Sequence, residues 1–347
     1  MVPVIKNKQA LMPCSEKRAR KLMQKGEAKA YWQKGIFCIS LIKEPSNNNF
    51  QAVVLGIDPG SKREGYTVAT EKSVILNITS DTPNWVKDHV EARRVLRRCR
   101  RQRKTPYRSC RENRYSLRKF RVPPSTKSRW DTKLNMIKFL LGILPITIIN
   151  VEDIKARTLK GKKKWNISFS PLEVGKAYFY QAIKDLNIQL ILTEGYNTKL
   201  HRDKRGFAKS KAKLDFSWEA HNGDSHSLCE IVLQTDILPY LGLWQINYLQ
   251  YYRRQLHVLQ PIKNNIRKAY GTSISLGMPR GAVISYNNNL YYLGGSSKNM
   301  VAIHSIITGK RIKQYVKKED INMLYTSNRR VQFLLRLKSW VSLHNFS

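Results

Sequence analysis

Between Arg93 and Lys133 the chain carries seventeen Lys or Arg side chains and two acids, Glu112 and Asp131, a net +15 in forty-one residues. That block is the charge centre of the protein. Within it, Ala92 to Lys104 has good helix formers and a stop at Pro106. Its like-charged pairs Arg93/Arg97, Arg94/Arg98, Arg97/Arg101 and Arg100/Lys104 would each cost about 0.2–0.5 kcal/mol in an isolated helix. Interleaved acids that would relieve the repulsion are missing. Such a helix is a rod of roughly 20 Å, long enough to follow several phosphates. Guanidinium groups grip phosphate bidentately and stack on exposed bases, which suits folded RNA better than featureless duplex.

The whole chain shares this bias: 63 Lys and Arg against 24 Asp and Glu in 347 residues give +39 at pH 7, so a polyanionic partner is expected. A hydrophobic content of 41% with 10% aromatics is enough for a real core and excludes a disordered chain. Five cysteines form no C-x-x-C pair and leave an odd count, which argues against a disulfide framework or a zinc ribbon and fits a reducing compartment. The longest apolar run, Phe139 to Ile149, is broken by Gly142 and Pro145 and is too short to span a bilayer. The N-terminus lacks the apolar stretch of a secretory signal. No membrane partner is expected.

Residues 1–50 read as a basic module, with a helix from Ser15 to Lys25, a strand from Ile36 to Ile42 and a linker from Glu44 to Asn49. Ala52 to Ile57 is an unbroken apolar run, as for a strand covered on both faces, and ends at Asp58-Pro59-Gly60. Strands at Gly65 to Ala69 and Val74 to Ile78 follow. Beyond the basic block the pattern predicts a helix over Leu134 to Leu144, a strand over Ile146 to Val151 and a helix over Leu172 to Leu186. A strand over Gln189 to Thr193 and a helix over His221 to Gln234 complete the series. After Leu241 the chain turns aromatic and basic (Tyr248, Tyr251, Tyr252, Arg253, Arg254). Turns at Asn287-Asn288-Asn289 and Gly294-Gly295 then suggest a small β-barrel.

Three acids stand out by position. Asp58 and Glu152 each end an apolar strand, and Asp224 opens a helix three residues after His221. Taken singly each has a bland explanation: Asp-Pro-Gly is turn punctuation, Glu152 can face solvent, and an acid near a helix N-terminus complements the macrodipole. In a sheet of this element order the first strand is central, so all three can meet around one pocket. Repelling carboxylates are then best held by hard divalent cations. Two Mg²⁺ ions, or Mn²⁺ in their place, roughly 3.5–4 Å apart would activate water and stabilise a leaving oxygen in phosphodiester cleavage. Asp153 competes with Glu152, because neighbouring strand residues point to opposite faces; Glu152 is preferred. His221, on the face of Asp224, is placed to transfer a proton or orient the water.

Four segments together resemble the IsrB and IscB proteins, transposon-encoded relatives of the CRISPR effector nucleases. Ala10-Leu11-Met12-Pro13-Cys14-Ser15, followed by Lys17-Arg18-Ala19-Arg20-Lys21-Leu22, is similar to the family's P-L-M-P module, with Ala10 in place of the first proline. Gly56-Ile57-Asp58-Pro59-Gly60-Ser61 resembles the first RuvC motif. Arg97-Arg98-Cys99-Arg100-Arg101 matches the R-R-x-R-R bridge-helix signature. Val151-Glu152 and His221-Asn222-Gly223-Asp224 look like the second and third RuvC motifs, with Ser225 where the family usually has Ala.

The resemblance implies an α/β, ribonuclease H-like (RuvC) split domain. It would comprise a PLMP-like module (1–50), a first RuvC segment (51–88), a bridge helix with basic segment (89–133) and the second and third RuvC segments (134–240). A small C-terminal β-barrel domain (241–347) would contact RNA and a target-adjacent motif. Glu152 and Asp224 are too close in sequence to enclose an HNH nuclease, which points to the HNH-lacking IsrB type. That type implies an RNA-guided nickase that cuts the displaced strand of target double-stranded DNA, one protein per structured guide RNA. Asp58, Glu152 and Asp224 would bind metal, with His221 completing the catalytic set. The nucleic-acid-binding set would be Arg18, Arg20, Lys21, Arg93, Arg94, Arg97, Arg98, Arg100, Arg101, Arg103, Lys104, Arg108, Arg111 and Arg114. Residue usage rich in Asn, Ile, Lys and Tyr fits a bacterial cytoplasm or an organelle, near the nucleoid. Two other readings share these residues: a guide-independent, structure-selective nuclease, and an RNA-binding protein that keeps the acids for folding.

Overall fold

A computed structural model describes residues 1–33, 36–45, 51–102, 122–156, 170–210, 212, 214–248, 256–260, 266–270, 274–326 and 329–334. Most of them fall into two compact units, one from Met1–Tyr31 with Cys38–Gln245, the other from Trp32–Phe37 with Ile246–Gln332.

The chain begins with β1 (Val2–Lys6), β2 (Gln9–Cys14), α1 (Glu16–Gln24), β3 (Ala28–Gln33) and β4 (Ile36–Leu41), whose strands pair in the order β2-β1-β4-β3. Asn7 and Lys8, both at positive φ, make the two-residue turn whose twist suits a hairpin. The Ser15 hydroxyl caps α1 by accepting from the Arg18 N–H at 3.3 Å.

The central sheet is built from β5 (Val54–Asp58), β6 (Arg63–Ala69), β7 (Val74–Asp81), β8 (Ile148–Asp153) and β9 (Gln189–Glu194), in the order β7-β6-β5-β8-β9, with β10 (Leu243–Tyr248) beside β7. The first three strands form an antiparallel meander, and β8 and β9 run parallel to β5. Two parallel strands added to the first strand of a meander, on the side away from it, define the ribonuclease H-like α/β fold. Val53, Val54, Leu55 and Ile57 have no solvent exposure, as their unbroken apolar run requires.

Five helices accompany this sheet: α2 (Trp85–Gln102), α3 (Pro124–Leu141), α4 (Pro171–Lys184), α5 (Gly195–Lys204) and α6 (Gly223–Leu233), the last entered through a π-helical turn, Trp218–Asn222. The α6 side of the sheet is identified by its contacts. A Cβ at Gly56 would lie 2.1 Å from the Ser225 carbonyl oxygen, and one at Gly65 would lie 2.4 Å from that of His221. Both glycines therefore let the backbone leading into and through α6 press directly on the sheet. The opposite side faces α3 and α4, where Trp130 and Phe179 stack at 4.7 Å and Met136, Ile137 and Leu140 are fully buried. Each such side chain contributes about 1.5–3 kcal/mol.

Several expected elements differ. The third helix starts at Pro124 rather than Leu134, because the segment from Trp130 onward packs inward and Pro124 suits a first helical position. The sequence pattern assigns no element between Thr193 and His221, yet the chain is helical from Gly195 to Lys204. Among the described residues no helix is long and apolar enough to cross a membrane.

The second unit contains the hairpin β11 (Leu256–Gln260) and β12 (Ile266–Tyr270) and the short pair β13 (Ile274–Ser275) and β14 (Met278–Pro279). Its main sheet joins β15 (Ala282–Tyr286), β16 (Asn289–Ser297), β17 (Met300–Ser305), β18 (Arg311–Lys317) and β19 (Asn322–Thr326) in the antiparallel order β18-β17-β16-β15-β19. Its core is Ala282, Ile284, Leu293, Val301, Ile303, Val316 and Ile321. Asn287 and Asn288, at positive φ, make the expected turn. Gly294-Gly295 does not turn the chain: it lies inside β16 at a register shift between Leu293 and Ser296, a bulge. β18 and β19, at the two ends of this order, are joined only by the short turn Lys318–Asp320, so the sheet curls round on itself as a small β domain of the expected kind.

Candidate active site and nucleic-acid interface

Side chains alternate along a strand, so Gly56 and Asp58 share the α6 side of β5. On β8, Asn150 donates to the Leu228 carbonyl of α6 at 2.8 Å, which puts Glu152 on that same side. Gly56 pairs with Asn150 and Ile57 with Val151, so the next residues, Asp58 and Glu152, end adjacent parallel strands side by side. Asp153 faces the other way, where the Lys176 ammonium lies at 2.7 Å and the Tyr180 hydroxyl donates at 2.9 Å. Burial opposes ionisation of Asp153, but these two partners outweigh it and hold the carboxyl below its usual range.

Asp224, on the first turn of α6 and buried, completes a carboxylate triad. Burial first, then the Glu152 and Asp224 charges, push the Asp58 carboxyl well above its ordinary range. Glu152 is raised by burial and by Asp224. A hydrogen bond between the two carboxyls raises Asp58 further and offsets part of the rise at Glu152. Asp224 is engaged differently. Arg202 of α5 donates to its Oδ1 at 2.8 Å, and Lys209 donates to its Oδ2 at 2.7 Å. Lys209 also acts electrostatically on Asp58 and Glu152.

His221 is buried on the π-helical turn, with its backbone against Gly65, the residue paired to Asp58. Its neighbour Asn222 fixes that turn on the sheet. The Asn222 amide donates to the Tyr66 and Ile78 carbonyls at 3.0 and 3.1 Å and accepts from the Thr79 hydroxyl at 2.7 Å. Gly60 shapes the other rim: a Cβ there would lie 1.5 Å from the Arg63 carbonyl oxygen.

A divalent metal is implied by this fold. Among the described residues no three His, Cys, Asp or Glu side chains are gathered tightly enough to hold an ion as they stand, because Asp224 is turned to Arg202 and Lys209. The donor chemistry nevertheless fits. The set is all carboxylate oxygen, as hard divalent cations require, and an ammonium and a guanidinium already stand where positive charge is needed.

Of the residues expected to bind nucleic acid, Arg18, Arg20 and Lys21 are exposed on α1, and Arg93, Arg94, Arg97 and Arg98 are exposed on α2. Arg100 and Arg101 continue the same helix. Arg103, Lys104, Arg108, Arg111 and Arg114 lie outside the described residues. Val95 and Leu96 are also exposed, at 46% and 58%, so these two apolar side chains of α2 do not enter a core. Arg202 and Lys209 are not evident in the sequence: a cation in a generally basic stretch carries no signal for pairing with a distant acid.

Residues 2–166, a little under half of the chain, match the family model described as RRXRR protein. Among curated proteins none matches. Similar solved structures include T. thermophilus RuvC in complex with a Holliday junction substrate, at 12% identity over 55% of this chain and 83% of that one, with a TM-score of 0.27. A second Thermus thermophilus RuvC structure matches at 12% over 54% and 83%, TM-score 0.25. The yeast mitochondrial Holliday junction resolvase matches at 14% over 53% and 78%, TM-score 0.27. The fold class rests on the strand order and pairing directions given above.

Proposed function

We propose that the chain is a metal-dependent, RNA-guided DNA endonuclease of the IsrB type, nicking the displaced strand while a structured guide RNA pairs with the other. The observation that carries this reading is the convergence of Asp58, Glu152 and Asp224 on one side of a ribonuclease H-like sheet. Mg²⁺ or Mn²⁺ held there would supply a hydroxide-like nucleophile at neutral pH and stabilise the leaving oxygen. The chain's own contributions are then separable. Asp58 and Glu152 present oxygens from adjacent strand ends, and Asp224 closes the set from α6. His221 moves or orients the proton, on a turn that Asn222 fixes to β6 and β7. Arg93, Arg94, Arg97, Arg98, Arg100 and Arg101 would grip the RNA, with Arg103, Lys104, Arg108, Arg111 and Arg114 counted in the same binding set from the sequence and Arg18, Arg20 and Lys21 adding a second contact.

The deciding experiment is sequencing of RNA that co-purifies with the protein, followed by a nicking assay with that RNA and a matched plasmid. A discrete transcript that directs nicking supports the proposal. Cleavage of junctions without RNA makes the chain a guide-independent nuclease, and RNA binding with no metal-dependent cleavage makes it a binding protein.

Replacing Arg97, Arg98 and Arg101 together by Ala should weaken RNA association and flatten its salt dependence. Three lost phosphate contacts lower the slope of log K against log salt by about 2 to 3. Filter binding between low and moderate salt reads this directly, and an unchanged slope would show that these side chains do not meet phosphate.

A further inference from the structure

The pairing of Asp224 with two cations assigns a further role within the candidate site and rests on the metal-dependent reading above. Arg202 and Lys209 contact opposite oxygens of one carboxylate, at 2.8 and 2.7 Å, but they are built differently. The Arg202 side chain is 9% exposed, also donates to Asp203 at 3.0 Å, and has a buried Nε with no acceptor among the described residues. It is a fixed part of the wall. Lys209 is 49% exposed, on the segment that follows α5. The backbone on either side of it is pinned. The Phe207 N–H donates to the Arg202 carbonyl at 3.1 Å and its ring meets Trp218 and His226 edge-on, while the Ser210 N–H donates to the Glu219 carbonyl at 3.1 Å. The Lys209 Cα is therefore held beside the carboxylates while its four-carbon stem is free to turn outward.

A divalent cation needs the Asp224 oxygens that these two residues hold, and the half-exposed one is the one able to leave. Once released, its ammonium would sit at the mouth of a pocket whose charge has risen by the incoming metal, which calls for an anion. We propose that Lys209 is a substrate-phosphate ligand that rests on Asp224 until metal displaces it, with Arg202 remaining as the fixed cation behind Asp224. Metal and a nucleic-acid phosphate then bind with positive coupling, since each relieves the charge left by the other.

The test uses the full-length chain stripped of nucleic acid, as wild type, Lys209→Met, which keeps the stem, and Lys209→Arg, which keeps the charge. Mn²⁺ uptake is followed by the electron paramagnetic resonance of the free ion. Affinity for a short single-stranded DNA oligonucleotide is measured by fluorescence anisotropy in Ca²⁺. Removing one charge-assisted hydrogen bond that competes for Asp224 should tighten Mn²⁺ binding about tenfold in Lys209→Met. The same variant should bind the oligonucleotide several-fold more weakly in Ca²⁺, and Lys209→Arg should restore that affinity. Equal or weaker Mn²⁺ binding in Lys209→Met, or unchanged oligonucleotide affinity, overturns the proposal and leaves the metal-dependent reading standing. A folded wild type that takes up no Mn²⁺ overturns both.

Discussion

Asp58→Ala should abolish metal-dependent nicking, a loss of about 10³-fold or more if the carboxylate set is what brings metal to the scissile phosphate, and should leave RNA affinity unchanged. Its contacts separate the two effects. Asp58 is half-buried at the end of β5, and its neighbours Glu152 and Asp224 oppose its ionisation, so in the metal-free chain it is one acid too many for the space. Removing it relieves repulsion at the cost of one hydrogen bond to Glu152, and the fold should hold with an unfolding midpoint equal to or above wild type. The exposed arginines expected to meet RNA lie on α1 and α2, outside the carboxylate set. Plasmid nicking, filter binding and thermal unfolding of the same preparation decide the matter. Loss of RNA binding, or a fall in the midpoint, would make Asp58 a structural residue.

The strand order is legible in the sequence because each strand of the central sheet announces itself by an apolar run and a stop. Val53 to Ile57 is buried on both faces and ends at Asp58-Pro59-Gly60, where Gly60 leaves no room for any side chain against the Arg63 carbonyl. The choice between Glu152 and Asp153 needs partners, which periodicity does not supply: Asn150 bonded to α6 on one side, Lys176 and Tyr180 on the other. α5 escapes a reading of the sequence for a related reason. Its inward residues include Thr198 and Arg202, and Arg202 is held by carboxylates rather than by apolar packing, so no 3.6-residue hydrophobic stripe marks it. Gly294-Gly295 misleads in the opposite sense, since glycine marks a bulge as readily as a turn and only the partner strand distinguishes them. Local chemistry determines the elements; long-range polar pairing determines the surroundings of the site.

The same long-range pairing makes the largest stability prediction. On the side of the sheet away from the carboxylates, the Glu64 side chain is fully buried and the Lys133 side chain of α3 is 3% exposed, with their charges 2.6 Å apart. The Tyr66 and Ser80 hydroxyls donate to the other Glu64 oxygen at 2.7 and 3.1 Å, and the Lys133 ammonium also reaches the Gly60 carbonyl at 3.5 Å. Glu64→Gln should strand that ammonium in a dry interior and cost about 3–5 kcal/mol. For a unit of this size that lowers the unfolding midpoint by roughly 10 °C. Lys133→Met alone should cost a similar amount, because the Glu64 carboxylate is then left buried without its cation. Changing both, Glu64→Leu with Lys133→Met, removes the two charges together and should return stability to near the wild-type value or above it. Such a rescue, read by denaturant unfolding of the four proteins, is the signature of a pair whose cost lies in being broken. Additive losses would mean that water reaches these side chains. The link to Gly60 adds a functional consequence: the double variant loses the tie between α3 and the turn that carries Asp58, so its nicking rate should stay below wild type even where its stability is recovered.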